Sequence, residues 1–359
     1  MHMADALLSP AVGLTMWGVS AATITYCSKK IRREMDDRKV PLMGVLGAFI
    51  FAVQMINFTI PATGSSGHLG GVLILSILLG PYAAFLTIAS VLVVQALFFA
   101  DGGLLALGCN IFNLGFFPAF IAYPFIYKKI VGSTPSPARI SVASILAAVI
   151  GLQMGSLSVV VQTVLSGISS LPFPAFVVFM QPIHLVIGIV EGLITASVIS
   201  FVYNARPEIF QNSMGAPATA AHPFRAVTLG FLAAAFLTGG VLSWSASGHP
   251  DGLEWSIAAV TGKKNPTSPA GGLYTTLAAL QEKLSFLPDY SLKKASDMQA
   301  ATAASREQQP EKMEAKGKRF SATLSGIVGG TLTLGLSFII GSLLKRRGRI
   351  ERNVAETGG

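Results

Sequence analysis

Charge is what this sequence has least of. Only 12% of its 359 residues are Asp, Glu, Lys or Arg, while 52% are hydrophobic; soluble domains carry about 25% charged residues. A chain so poor in charge cannot cover a soluble surface, so it reads as an integral membrane protein. Its net charge of +9 does not signal nucleic acid, because the basic residues sit at the ends of apolar runs and in one polar insert. Cysteine is nearly missing. Cys27 and Cys109 both lie inside hydrophobic runs, which excludes a disulfide framework and leaves each as a small buried residue. The sequence has no Gly-x-x-x-x-Gly-Lys-Ser/Thr phosphate loop and no His-Glu-x-x-His pattern. Those routes to ATP hydrolysis and zinc hydrolysis are therefore closed. No Lys or Arg precedes the first apolar run, so the start is not a standard signal peptide and Met1 is expected to survive.

What the chain has in plenty is apolar sequence. Runs of spanning length fall at about 7–27, 41–58, 82–100, 104–126, 138–166, 175–203, 224–244 and 321–344. A shorter run, 69–80, is about a dozen residues, roughly 18 Å at the helical rise. It crosses only if the loop before it dips into the membrane, where irregular backbone must be buried in protein. With that crossing, the sequence predicts an all-α polytopic membrane protein. A seven-helix bundle occupies 1–205, a cytoplasmic linker 206–223, and a second segment 224–344. In the second segment, helices 224–244 and 321–344 flank an extracytoplasmic stretch, 245–320, which reads as flexible from about 291. A tail, 345–359, follows. With the N-terminus outside, Lys29 to Lys39, Lys128, Lys129, Arg139, Arg206, Arg225 and the basic tail all fall inside. The short outer segments then carry no Lys or Arg, as the positive-inside rule asks.

Few polar residues lie within the runs. Gln54, Asn57, Gln95, Asn110 and Asn113 read either as groups orienting ligands or as interhelical hydrogen bonds; Ser65 and Ser66 join Asn57 and Gln95 as candidates beside a ligand. Asp101 reads as a helix cap. His184 and Glu191 share one helix face and read as a buried structural pair. Gly44, Ala48 and Ala52, spaced by four, let another helix approach closely, either a partner subunit's or one of the chain's own. Gly230 with Ala234, and Gly326 with Gly330, suggest that the last two helices pack together.

The most unusual feature is the start. Met1-His2 offers three nitrogens in a row: the terminal amine, the His2 amide and the His2 imidazole. Chelation by all three closes fused rings and favours Ni²⁺ or Cu²⁺, with cobalt possible. Termini usually fray, but here an apolar run from Leu7 holds the start at a membrane face. His68, in the glycine loop Gly64–Gly71, is expected at the same face as a fourth donor.

Met1-His2-Met3-Ala4-Asp5-Ala6-Leu7-Leu8-Ser9-Pro10, together with Ala62–Gly71, resembles the CbiM/NikM family over about 1–205. These are substrate-capture components of energy-coupling-factor nickel and cobalt importers. His249-Pro250-Asp251-Gly252-Leu253-Glu254 looks like the PDGLE signature of the small NikN-type component, so the whole resembles a fused NikMN arrangement. The resemblance implies a metal ligated by the Met1 amine, the His2 amide and imidazole, and His68. It implies Ni²⁺ or Co²⁺ as transported substrate with no organic cofactor. It also implies a transmembrane coupling subunit and cytosolic ATPase subunits as partners, in a prokaryotic inner membrane. Cobalt-type relatives often continue Met-His with Ile-Pro or Ile-Met-Glu-Gly; Met3-Ala4-Asp5-Ala6 departs from that and, with the PDGLE segment, tilts the reading to nickel. The alternatives are a membrane metal sensor or structural subunit, and an intramembrane metalloenzyme.

Overall fold

Ser9 and Pro10 start the first long helix, α1 (Pro10–Ile31). The Ser9 hydroxyl accepts the Val12 amide at 3.4 Å, and proline in the first turn loses no bond, since that N–H has no helical partner. The computed structural model in which this is seen describes residues 2–32, 35, 39–169, 171–205, 225–262, 269, 271–292 and 311–357. Met1, the linker 206–223 and most of the stretch expected to be flexible lie outside the described residues.

Three helices make the buried centre: α2 (Lys39–Gln54), α3 (Val72–Leu79) and α4 (Pro81–Phe98). Every residue of α3 is buried, and α2 is buried on nearly all sides, as an apolar helix with no polar face requires. At 8 residues, α3 is shorter than the 69–80 run, and non-helical residues at its two ends take up the difference. A small antiparallel ribbon precedes it, β1 (Phe58–Ile60) against β2 (Ser65–Gly67), pairing Phe58 with Gly67 and Ile60 with Ser65. All of β2 is buried, so this non-helical backbone sits inside protein. Gly71 (φ +75°) turns the chain into α3 and Gly80 (φ +83°) turns it out, conformations that residues with a Cβ resist.

The next helix, α5 (Leu107–Val131), winds widely from Phe112 to Tyr127, with Pro118 and Pro124 inside it. Proline removes an α-helical bond and crowds the preceding turn, and a π-helical stretch is one way to absorb that. Helices α6 (Pro137–Ser166) and α7 (Phe173–Ala205) pack along each other. Their outer faces expose Leu146, Ile150 and Leu157, and Val178, Ile189 and Leu193, an apolar surface suited to lipid.

The second segment contains α8 (Arg225–Gly240), α9 (Gly252–Thr261), α10 (Leu273–Leu284) and α11 (Glu311–Thr357). The last helix thus extends well beyond 321–344, and the 245–320 stretch holds two short helices, α9 and α10. Both α8 and α11 pack on α2. A Cβ on Gly44 would lie 3.1 Å from the Leu334 carbonyl oxygen, and a Cβ on Gly239 would lie 3.3 Å from Ala52. The Ala48 methyl lies 3.9 Å from the Cβ position of Gly330. The small-residue stripe, one candidate for a partner interface, is here covered by the chain's own helices. Those two helices meet through Gly239 and Gly326 rather than Gly230: a Cβ on Gly326 would fall 2.5 Å from the Gly239 carbonyl oxygen.

Five of the described helices are long and apolar enough to cross a membrane: Pro81–Phe98, Leu107–Val131, Pro137–Ser166, Phe173–Ala205 and Gly317–Ile350. The molecule is a helical multi-pass membrane protein.

Candidate metal centre

The first residues lie against the turn that joins α4 to α5. The Met3 amide donates to Asn110 Oδ1 at 2.8 Å, and the Met3 carbonyl accepts from Asn110 Nδ2 at 3.2 Å and from the Gly103 amide at 3.0 Å. Asp5 Oδ1 accepts the Ala106 amide at 3.0 Å. The turn can come this close because Gly102 (φ +83°) has no side chain: a Cβ there would meet Asn110 Nδ2 at 2.8 Å and the His2 Cβ at 3.4 Å. The terminus is therefore built into the fold from residue 2 onward. Asn113 bonds Gln162 across helices at 2.8 Å, one of the two roles its type suggested, while Asn110 holds the segment next to His2.

This placement brings His2 to His68. Their rings are parallel within 8° with centroids 5.1 Å apart. His68 Nδ1 lies 3.3 Å from the Leu69 carbonyl oxygen; a carbonyl only accepts, so the proton is assigned to Nδ1 and the lone pair to Nε2. Burial pushes the His68 imidazole down to about 3, so it stays neutral near pH 7, the form a metal needs. The loop around it is fixed by its backbone. Gly70 and Gly71 donate their amides to Glu191 at 2.8 and 3.0 Å, and Gln54 Nε2 donates to the Gly70 carbonyl at 2.8 Å. Gln95 Nε2 in turn donates to Gln54 Oε1 at 2.9 Å, which links Gln95 to the loop through Gln54. Glu191 therefore does not pair with His184, whose Nδ1 lies 2.7 Å from the Met180 carbonyl oxygen.

Asp101 is not a simple helix cap. Its Oδ1 lies 3.1 Å from His2 Nδ1, and its Oδ2 accepts the Tyr290 hydroxyl at 2.6 Å. Burial would raise this carboxyl, but the His2 ring and the Tyr290 hydroxyl outweigh it and hold Asp101 well below the usual carboxylate range. Among the described residues, His2 Nε2 is buried without a hydrogen-bond partner. Among the described residues no three His, Cys, Asp or Glu side chains form a group able to hold a metal. A donor set made half of backbone nitrogens leaves no such signature.

Residues 2–209 match the family model for the cobalt uptake substrate-specific transmembrane region, CbiM, and residues 225–346 match the PDGLE domain. The chain belongs to the CbiM family. Among its relatives, the fused nickel transport protein NikMN of Rhodobacter capsulatus is 27% identical over 81% of this chain and 88% of its own length. The cobalt transport protein CbiM of Sorangium cellulosum is 29% identical over 58% of this chain and 94% of its own. A transition metal transporter of known crystal structure, 29% identical, superposes with a TM-score of 0.52 over 58% of this chain and 95% of that one. The protein is thus a membrane component of nickel or cobalt transport.

The PDGLE domain touches the CbiM region at both histidine-bearing segments. At the first, Asp251 caps α9: Oδ1 accepts the Leu253 and Glu254 amides at 2.8 and 2.9 Å, and Glu254 accepts the Asp251 amide at 3.2 Å, a capping box. Pro250 just before it accepts the Ser66 amide at 2.8 Å, and the Ser66 hydroxyl donates to the His249 carbonyl at 2.8 Å. Gly252 is needed for the approach, since a Cβ there would lie 2.7 Å from Ile183; Leu253 is buried. Of the residues expected beside a ligand, Ser65 and Ser66 thus serve this junction, and the Asn57 carbonyl accepts the Ser247 amide at 2.7 Å. Tyr290 makes the second contact. Sequence reasoning missed Tyr290 and the role of Asp101; the only local signal was the Asp-Gly-Gly turn.

Proposed function

We propose that this chain is the substrate-capture component of an ATP-driven energy-coupling-factor importer, with Ni²⁺ as the favoured substrate and Co²⁺ the other candidate. The ion is held by the amine of Met1, the amide and imidazole nitrogens of His2, and His68. The observation that carries the reading is the junction of His2 with a neutral, enclosed His68. A relative named as a nickel transport protein with the same fused arrangement supports nickel. Seven helices in the CbiM region and two in the PDGLE domain cross the membrane, with the metal site facing outward and the tail in the cytoplasm. A transmembrane coupling subunit and cytosolic ATPase subunits drive release inward; the absence of a phosphate loop from the sequence supports separate ATPases.

The test is an acetyl cap on the Met1 amine, which adds no new amine. It turns the amine into an amide and moves it off the chelate. Two or more nitrogens are lost, each at about tenfold or more in affinity, so Ni²⁺ binding measured by chelator competition should weaken by about a hundredfold. Full affinity in the acetylated protein would show that the Met1 amine is not a ligand.

A further inference from the structure

The fused chelate imposes a requirement on His2. Its own amide nitrogen and its ring can share one ion only through Nδ1; Nε2 points away from the backbone. Yet Nδ1 is the nitrogen that faces Asp101 at 3.1 Å, while Nε2 is buried without a partner. Asp101 is itself held from outside the CbiM region. Tyr290 donates to its second oxygen at 2.6 Å, and the Tyr290 ring stacks on Phe99 with centroids 5.0 Å apart. Asp289 donates its amide to the Phe99 carbonyl at 2.9 Å, and the Ser325 hydroxyl of α11 donates to the Tyr290 carbonyl at 2.9 Å. Asp289 (φ +48°) and Tyr290 (φ +57°) are both left-handed without being glycine. Such strain persists only where the surroundings over-determine it, so the Tyr290 hydroxyl is placed by construction.

We infer that Asp101 is the exchange partner of the transported ion for His2 Nδ1, and that Tyr290 of the PDGLE domain is the positioning residue that sets how strongly Asp101 competes. When the ion arrives, the Nδ1–H···Oδ1 bond breaks, the ring proton leaves to the carboxylate and on to water, and an Nδ1–metal bond forms. When the ion leaves, Asp101 takes the ring back. The Tyr290 hydroxyl shares the carboxylate's charge and so weakens its hold. The PDGLE domain thereby adjusts a site to which it gives no ligand. This inference rests on the capture reading above.

Competition predicts opposite signs at two neighbouring residues. In the full chain, with Ni²⁺ as probe, Asp101→Asn removes the competitor and should tighten binding. Tyr290→Phe leaves the carboxylate unshared and should weaken binding. Each change should be about tenfold, the scale of one hydrogen bond to a charged group. Thermal unfolding midpoints check that both variants fold, and the visible absorption of bound Ni²⁺ should match wild type in both, because the donor set is unchanged. If Asp101→Asn weakens binding, Asp101 orients or attracts rather than competes, and the inference falls. Wild-type affinity in Tyr290→Phe would remove Tyr290 from it. Either failure, with the acetylated protein still binding about a hundredfold more weakly, leaves the capture reading standing; failure of wild type to bind Ni²⁺ removes that reading itself.

Discussion

His2 and His68 meet, but they are held in opposite ways. His68 is fixed through its loop: Glu191 takes two amides, Gln54 donates to a carbonyl, and the PDGLE domain bonds Ser66. The His2 backbone is anchored next door, through Met3, and among the described residues its ring has one polar partner, Asp101, besides its stacking on His68. On the capture reading, one donor sits in a loop with many polar anchors and the other has few. A site that must bind an ion and then let it go would gain from that division, because release would begin at the less anchored donor.

The largest expected effect comes from unfixing the well-anchored donor. Glu191→Ala strands two buried amides, at about 1–3 kcal/mol each, so the protein should lose about 2–6 kcal/mol of stability. A drop in the thermal midpoint in detergent, with weaker Ni²⁺ binding, is the expected result; an unchanged midpoint would mean the loop stands without this anchor. Next comes the support beneath. Gly44→Leu overfills the packing of α2 against α11, where even a Cβ would lie 3.1 Å from the Leu334 carbonyl oxygen, a change that costs about 1–3 kcal/mol. It should loosen the PDGLE helices, read as faster proteolysis between the two domains, while Ni²⁺ affinity changes less than in Glu191→Ala. The effect that is smallest near neutral pH is that of acidification. His68 is lowered to about 3 in the folded chain from an ordinary 6.5. Below pH 6.5 the unfolded chain therefore takes up a proton there that the folded chain refuses. Stability from this group is whole above that pH and declines as pH falls toward 3, by at most about 1.4 kcal/mol per pH unit. The His68→Ala variant should show a correspondingly shallower loss on acidification; an identical slope would mean His68 is not held neutral.

The two donors also differ in how far the sequence revealed their surroundings. Met1-His2 and the glycine loop around His68 announce themselves, because chelation needs those atoms in that order and a buried loop needs glycine. Asp251 and Glu254 could be read as turn and cap residues from spacing alone. The partners of the histidines could not. Glu191 reaches the loop from α7, and Tyr290 reaches Asp101 from the other domain; no local pattern ties residues so far apart in the chain. The stripe on α2 shows the same limit. Small residues every four positions say that a helix will pack there but not whose helix, and here it belongs to the same chain.

The clasp of the PDGLE domain on the metal site consists of a few hydrogen bonds, at Ser66 and at Asp101, each contributing about 1 kcal/mol. Those few bonds add little to the packing of the PDGLE helices on α2, which holds the two domains together. Within one polypeptide the effective local concentration reaches the millimolar range for short flexible tethers, and the stoichiometry is fixed at one to one. Covalent fusion therefore keeps the clasp within reach of the site, however slight its own bonds are.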